Sequence, residues 1–193
     1  MEEAFEEMNI KDTIEKRRAI YPKEFNGETI EDSTVQDLLE NAHKAPSHGN
    51  TRPWLFKVFK EEALDTLIEQ FKKHHLQYTS PEKVESKLEK VEKHKTQCSH
   101  IVAICVKPSI KHPIVEDTNA VAMAVQNLWL SLVNYPKIGG YWSSGNGTYT
   151  PEMDAFLDLS DGSFCMGFFL LGCVDEKRTE SPDIPLGGNV EWV

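Results

Sequence analysis

The sequence lacks the features that would place the protein in a membrane, on a secretory route or on nucleic acid. No apolar run approaches the roughly 20 residues that a bilayer-spanning helix needs. The first residues, MEEAFEEMN, have neither the basic start nor the apolar centre of a secretory signal. The formal net charge of −10 opposes binding to phosphate backbones, which requires lysine and arginine surfaces. We therefore expect a cytoplasmic protein that binds neither nucleic acid nor a membrane.

The chain also lacks a C-x-x-C pair and any cysteine spacing typical of a metal site. Three of its four cysteines lie within apolar runs, which favours buried free thiols over disulfides or a nucleophile. The four are Cys98, Cys105, Cys165 and Cys173.

Nucleotide-binding and metal-binding motifs are absent as well. There is no G-x-G-x-x-G loop, no Walker loop and no strong hydrolase signature. The spacing of the histidines on charged segments indicates no metal site, and we expect these side chains at the surface. They include His74, His75, His94 and His112.

What the sequence does have is enough length and apolar content for one core. It has 193 residues, of which 39% are hydrophobic and 27% are charged, as in ordinary globular domains. We expect a single domain over residues 1–193. Its last part, residues 177–193, is expected to be an extended C-terminal tail, because it contains Pro182 and Pro185 and few core residues.

Hydrophobic periodicity predicts a mixture of helices and strands. A capping box at Ser33–Gln36 predicts the start of the second helix. A thinly apolar, highly charged helix opening at Ser80-Pro81 is expected to lie at the periphery. The predicted helices cover 9–18, 33–44, the apolar repeat 64–71, a segment from 81 past 91, 113–136 and 151–158; the predicted strands cover 54–59, 101–106, 139–143 and 163–174.

One helix candidate is apolar on nearly every side. Residues 120–132 carry only Gln126, Asn127 and Ser131 as polar side chains. A helix that is apolar all round must be buried, and one sheet of a chain this size cannot cover it fully. We therefore expect part of it to face a partner subunit.

Three polar stretches could hold a ligand, and each has an ordinary structural alternative. Residues 16–20 (KRRAI) could compensate a helix dipole or clamp a phosphate through arginine. Residues 45–54 (APSHGNTRPW) could be a simple helix-to-strand connector or a ligand-binding loop. Residues 139–145 (GGYWSSG) contain glycines that let a flat ligand approach the backbone closely.

Taken in this order and at these separations, the three stretches resemble the nitroreductase family of flavin mononucleotide (FMN) enzymes. The resemblance rests on Arg17-Arg18-Ala19-Ile20-Tyr21, on Ala45-Pro46-Ser47 followed by Pro53-Trp54 and a strand, on Gly140 to Gly145, and on the apolar strand Met166 to Gly172. The resemblance covers nearly the whole chain, whose short length is similar to that of the compact bacterial branch of the family.

The resemblance implies an α+β fold: a three-layer α/β/α sandwich with a central, mostly antiparallel sheet flanked by helices. It also implies a homodimer with FMN at the subunit interface. The cofactor-binding residues it implies form three groups. Arg17, Arg18 and Ala19 would lie near the phosphate and ribityl chain, with Lys177 or Arg178 completing the phosphate site. Lys44, Ser47, His48 and Asn50 would contact the cofactor, with His48 reaching the flavin of the other subunit, and Trp142, Ser143 and Ser144 would lie along the isoalloxazine ring.

The chemistry implied is hydride transfer from NADH or NADPH to N5 of FMN. A nitroaromatic, quinone or similar small acceptor is then reduced in the same pocket, which makes the mechanism ping-pong. The cofactor carries this chemistry, so no catalytic side chain is required and none is evident. Two alternatives stay open: another flavin-dependent reaction, such as reductive dehalogenation or flavin breakdown, and an FMN-binding module without turnover.

Two positions depart from the family pattern. Ala19 replaces the usual serine, so one hydroxyl hydrogen bond to the cofactor, worth about 1 kcal/mol, is missing. Arg52 stands where glutamine is common before Pro-Trp, and its positive charge favours an anionic substrate or the phosphates of the nicotinamide cofactor.

Overall fold

The computed structural model describes residues 9–178, 180, 184–185 and 187–193. Its centre is a four-stranded sheet in which all neighbouring strands are antiparallel, in the order β1-β2-β4-β3. The strands are β1 Trp54–Phe59, β2 His100–Val106, β3 Ile138–Ser143 and β4 Phe164–Cys173.

Helices cover both faces of this sheet. They are α1 Ile10–Lys16, α2 Asp32–Ala42, α3 Glu61–Tyr78, α4 Pro81–Gln97, α5 Ile114–Ser131 and α6 Pro151–Phe156. Short 3₁₀ turns lie at Pro22–Glu24, His48–Asn50, Leu132–Asn134 and Gly187–Asn189.

The period of two along each strand divides the core into two layers. In β2, Val102 and Ile104 face a cluster formed with α2 and α5. Ile101 and Ala103 face the other cluster, formed with α3, α4 and α6. Because β2 is buried on both faces, its residues form a continuous apolar run. The predicted three-layer α/β/α sandwich is confirmed.

Local predictions at two helices were wrong. Ser33 lies inside α2, which starts at Asp32 after Glu31 and has no side-chain cap. The Asp32 carboxylate contacts the Lys60 ammonium (2.5 Å) and the His100 ring (3.2 Å). Helix α4 is not peripheral, since it packs against α3 and contributes Val91 to the core.

The cysteine prediction is confirmed, whereas the histidine prediction fails at three positions. All four cysteines are free and buried. His75, His94 and His100 are also buried, at 7%, 5% and 2% exposure. The first two lie on the apolar side of a helix, and His100 lies in the buried strand β2.

The predicted extended tail falls partly outside the described residues, which exclude 179, 181–183 and 186. Within the described part of the tail, Val190 and Trp192 are exposed. Among the described residues, no helix combines the length and the apolar character needed to cross a membrane.

Candidate functional site

A cavity of about 610 Å³ lies between β3 and α4. One wall is formed by Tyr21, Tyr141, Ser143 and Gly145, from the segment after α1 and from the end of β3. The opposite wall is the side of α4 that faces the sheet. Its lining residues on α4 are Ser86, Lys87, Glu89, Lys90, Val91, Lys93, His94 and Gln97.

The segment after α1 is fixed against β3 by the backbone and by ring packing. The Ile20 amide donates to the Gly140 carbonyl at 3.1 Å. The rings of Tyr21 and Tyr141 lie 4.8 Å apart between centroids. These contacts hold residues 17–19, which immediately precede Ile20, next to β3, although none of the three lines the cavity.

The structure brings Arg17, Arg18, Ala19 and Arg178 together. The Arg17 guanidinium lies 4.8 Å above the ring of Trp129, whose Nε1 donates to the Arg18 carbonyl at 3.0 Å. Burial, with a smaller contribution from Arg18, lowers the pKa of Arg17. The Arg178 guanidinium donates to the Ala19 carbonyl at 3.3 Å and to a Glu24 carboxylate oxygen at 3.0 Å.

Lys177 has a different environment from Arg178. Its ammonium donates to the carbonyls of Leu132 (2.7 Å) and Tyr135 (3.3 Å), in the turn that follows α5. Burial lowers the pKa of Lys177 to about 8. Of the two tail cations, Arg178 is therefore the one that lies with the arginines of residues 17–18.

The three predicted residues on and after β3 separate because strand side chains alternate. Ser143 lines the cavity together with Tyr141. Trp142 points to the opposite face, where it packs against the core formed with α2 and α5. Ser144 lies just beyond the strand and is exposed.

The loop at residues 45–54 contributes nothing to the lining of the cavity. The Ser47 hydroxyl accepts a hydrogen bond from the Arg52 amide at 3.0 Å, whereas Lys44, His48 and Asn50 are exposed. Within one chain, the structure does not bring these predicted residues to Arg17, Arg18 or Ser143.

Instead, Arg52 lines a second, shallower pocket of about 530 Å³. Lys107 and Lys111 are its other cations. None of these three side chains forms a salt bridge with the described part of the chain. The pocket therefore concentrates positive charge in a protein of net charge −10.

His94, which no sequence motif indicated as a site residue, lines the first cavity. Its Nδ1 is buried and has no hydrogen-bond partner among the described residues. Burial, with a smaller contribution from Lys90, lowers the pKa of His94 to about 4, so the ring is neutral near pH 7. A signal existed in the sequence, because His94 follows Val91 by three residues and shares its side of the helix.

Comparisons with known proteins identify the family and the fold of the chain. The family model described as "Nitroreductase family" matches residues 14–173. The Bacillus subtilis (strain 168) protein YfhC, provisionally named an NAD(P)H nitroreductase, is 27% identical over 184 residues, covering 90% of this chain and 91% of that protein.

Solved structures show the same fold. A nitroreductase-like family protein from Bacillus cereus superposes with a TM-score of 0.82 at 20% identity, covering 96% of each chain. The FMN-dependent nitroreductase NfnB from Mycobacterium smegmatis, in complex with NADPH, gives a TM-score of 0.74 at 16% identity, covering 95% of this chain and 97% of that one.

Proposed function

Because the chain belongs to the nitroreductase family, we propose that it is an FMN-dependent oxidoreductase. It takes hydride from NADH or NADPH and reduces nitroaromatic, quinone or similar acceptors by a ping-pong mechanism. The observation that carries the proposal is the cavity between β3 and α4, with an unpartnered buried histidine in one wall and residues 17–19 held next to the strand that forms the other.

The residues present fit FMN in size and in chemistry. A volume of about 610 Å³ is in the range of small-molecule sites. Arg17, Arg18 and Arg178 supply planar donors that match phosphate oxygens. Tyr21 and Tyr141 offer aromatic surface at the wall.

The unpartnered Nδ1 of His94 adds a specific polar contact. A buried polar atom without a partner is destabilising, and because the ring lines the cavity, a rotation of the ring would bring this nitrogen to a bound heterocycle. A neutral imidazole can donate or accept at this nitrogen, depending on its tautomer, so it can match either kind of polar atom at a ring edge. Ser143 and the backbone at Gly145 lie on the opposite wall and offer further hydrogen bonds to the polar edge of the ring.

Bound FMN would supply the acceptance and release of hydride at N5, as flavin cofactors do. The chain's own groups bind and orient: the arginines hold the phosphate end, and the walls formed by β3 and α4 exclude water from the ring.

The site requires a second copy of the chain. Lys44, Ser47, His48 and Asn50 lie away from the cavity of their own chain, so their proposed contacts with flavin are made across a homodimer interface. Exposed apolar side chains on α1 and α5 supply such an interface: Ile10, Ile14, Ile114, Val115 and Met123, which are 42–69% exposed.

Spectroscopy of the purified protein tests the proposal. We expect FMN to bind with a visible flavin spectrum, and NADH or NADPH to bleach it under anaerobic conditions before any acceptor is added. Failure to bind added FMN would overturn the assignment. Binding without reduction by either nucleotide would instead favour a module that binds the cofactor without turnover.

A further inference from the structure

A cluster of two histidines and one glutamate lies outside the flavin cavity. His48 belongs to the turn between α2 and β1, His112 precedes α5, and Glu116 is in its first turn. One potential ligand atom from each side chain lies within 4.8 Å of the other two. We propose that this cluster binds a divalent transition-metal ion, and that Zn²⁺ is the ion it fits best.

The donor set and geometry favour zinc. Two imidazoles and one carboxylate form a common three-ligand zinc site that leaves one position for water. The His48 Nδ1 lies 2.5 Å from Glu116 Oε2, whereas ligands about 2.0–2.2 Å from a tetrahedral zinc are about 3.3 Å apart. Insertion of the ion therefore requires these two atoms to separate by about 1 Å. Their side chains are 60% and 40% exposed, which leaves room for that change.

Gly49 makes the close approach of the loop possible. Its φ of +59° is in the left-handed region, and a Cβ added there would lie 3.0 Å from Nε2 of His112. The imidazoles of His48 and His112 lie close together, stacked with ring centroids 3.8 Å apart, and binding one ion requires the rings to turn so that a nitrogen of each points to it. A metal ion at this point would join the His48–Asn50 turn to the start of α5.

The donor atoms select among metals, because nearby positive charge opposes every divalent ion equally. Arg52, Lys107 and Lys111 line the adjoining pocket, which also includes Gly49. Mg²⁺ and Ca²⁺ are hard ions that prefer oxygen ligands, so they gain least from a site with two imidazoles. Imidazole nitrogen favours Zn²⁺, Cu²⁺ and Ni²⁺. Coordination through Nδ1 of His48 would leave its Nε2–H as a donor, so the site is compatible with the flavin contact proposed for His48.

Calorimetric titration with Zn²⁺ and with Mg²⁺, on the full chain after dialysis against a chelator, tests the site. We expect one Zn²⁺ per chain and no measurable Mg²⁺ binding. His112→Gln and Glu116→Gln should each weaken Zn²⁺ binding by at least about tenfold. His43→Gln removes an exposed histidine outside the cluster and should leave the affinity unchanged.

A second readout separates ligand loss from misfolding. Zn²⁺ should raise the Tm of the unmodified chain and of His43→Gln, because a ligand that binds the native state stabilises it; the rise should be smaller in the other two variants. Unchanged Zn²⁺ affinity in both His112→Gln and Glu116→Gln, with native circular dichroism, would overturn the proposal. Since zinc is titrated without added flavin, the result does not depend on FMN binding.

Discussion

Lys177 and Arg178 are neighbours in sequence with contacts in different places. The Lys177 ammonium is held by two carbonyls after α5. The Arg178 guanidinium is exposed and lies with Ala19 and Glu24. This difference supports the proposal that Lys177 stabilises the fold and that Arg178 binds the phosphate of FMN.

We predict that Arg178→Gln weakens FMN binding, whereas Lys177→Met lowers the stability of the fold. The first should weaken FMN binding by about 10- to 100-fold, because a charge-assisted hydrogen bond worth about 1.5–3 kcal/mol is lost. The second should leave FMN affinity close to its original value and lower the free energy of unfolding by about 1–2 kcal/mol, since two carbonyls lose their donor. Flavin fluorescence titration and urea unfolding measure the two quantities. If Lys177→Met weakened FMN binding and Arg178→Gln did not, the roles assigned to the two residues would be reversed.

Arg52 is the residue we expect to influence substrate choice. It lines a pocket with Lys107 and Lys111, and Arg52→Gln removes one of three cations there. We expect higher KM values for NADPH or for anionic acceptors, with smaller changes for neutral acceptors. Steady-state kinetics with both nucleotides and with paired neutral and anionic acceptors provide the test. Unchanged KM values for every anionic ligand would exclude this role.

Sequence motifs singled out candidate site residues but not the tertiary contacts that these residues make. The run at residues 17–19 drew attention to the arginines, and these do converge with Arg178. The partners of Lys177 and the meeting of His48 with His112 depend on tertiary contacts between distant residues. No local pattern carries that information.

At the scale of elements, α4 shows how a weak pattern can mislead. Its apolar stripe is narrow and its sequence highly charged, so it resembles an exposed helix. The stripe nevertheless packs Val91 into the core and places His94 in the cavity wall. Strands and the longer helices were predicted more reliably because their apolar periodicity is strong, as in β2 and α3.

Helix α4 should also make the fold sensitive to acid. His94 has its pKa lowered from 6.5 to about 4 by burial and by Lys90. Between these values the unfolded chain binds more protons than the folded one, so stability falls as pH drops from about 6.5 to about 4. The full effect is about 3 kcal/mol. We predict that His94→Gln reduces the loss of stability between pH 7 and pH 4.5.

Urea unfolding at the two pH values, without added flavin, measures this loss. His43→Gln serves as the control, because His43 is exposed. An equal loss of stability in the unmodified chain and in His94→Gln would contradict the prediction.

At the scale of the whole molecule, α5 has two unequal faces. One packs on α2 and the sheet, while Val115 and Met123 are exposed at 58% and 42%. The sequence-based expectation that part of this helix faces a partner subunit rests on the same apolar excess. What covers that face in solution stays a prediction.

We predict that Met123→Glu shifts the protein from dimer to monomer, because it places a charge in an apolar interface. FMN binding should weaken in parallel, because the partner's loop no longer reaches the cavity. Light scattering measures the assembly. Leu76→Glu is the matched control: Leu76 is 64% exposed on α3, on the opposite face of the sheet. A Met123→Glu protein that remains dimeric would place the interface elsewhere.

The position of Trp129 has an optical consequence. Its indole contacts the Arg17 guanidinium and donates to the Arg18 carbonyl, so its emission depends on the electric field of the arginine pair. An anion that absorbs no visible light, such as inorganic phosphate, should therefore change the tryptophan fluorescence of the flavin-free chain when it binds there. Trp129 would then report on anion binding at the proposed phosphate end of the site, and Trp129→Phe should abolish this change in fluorescence.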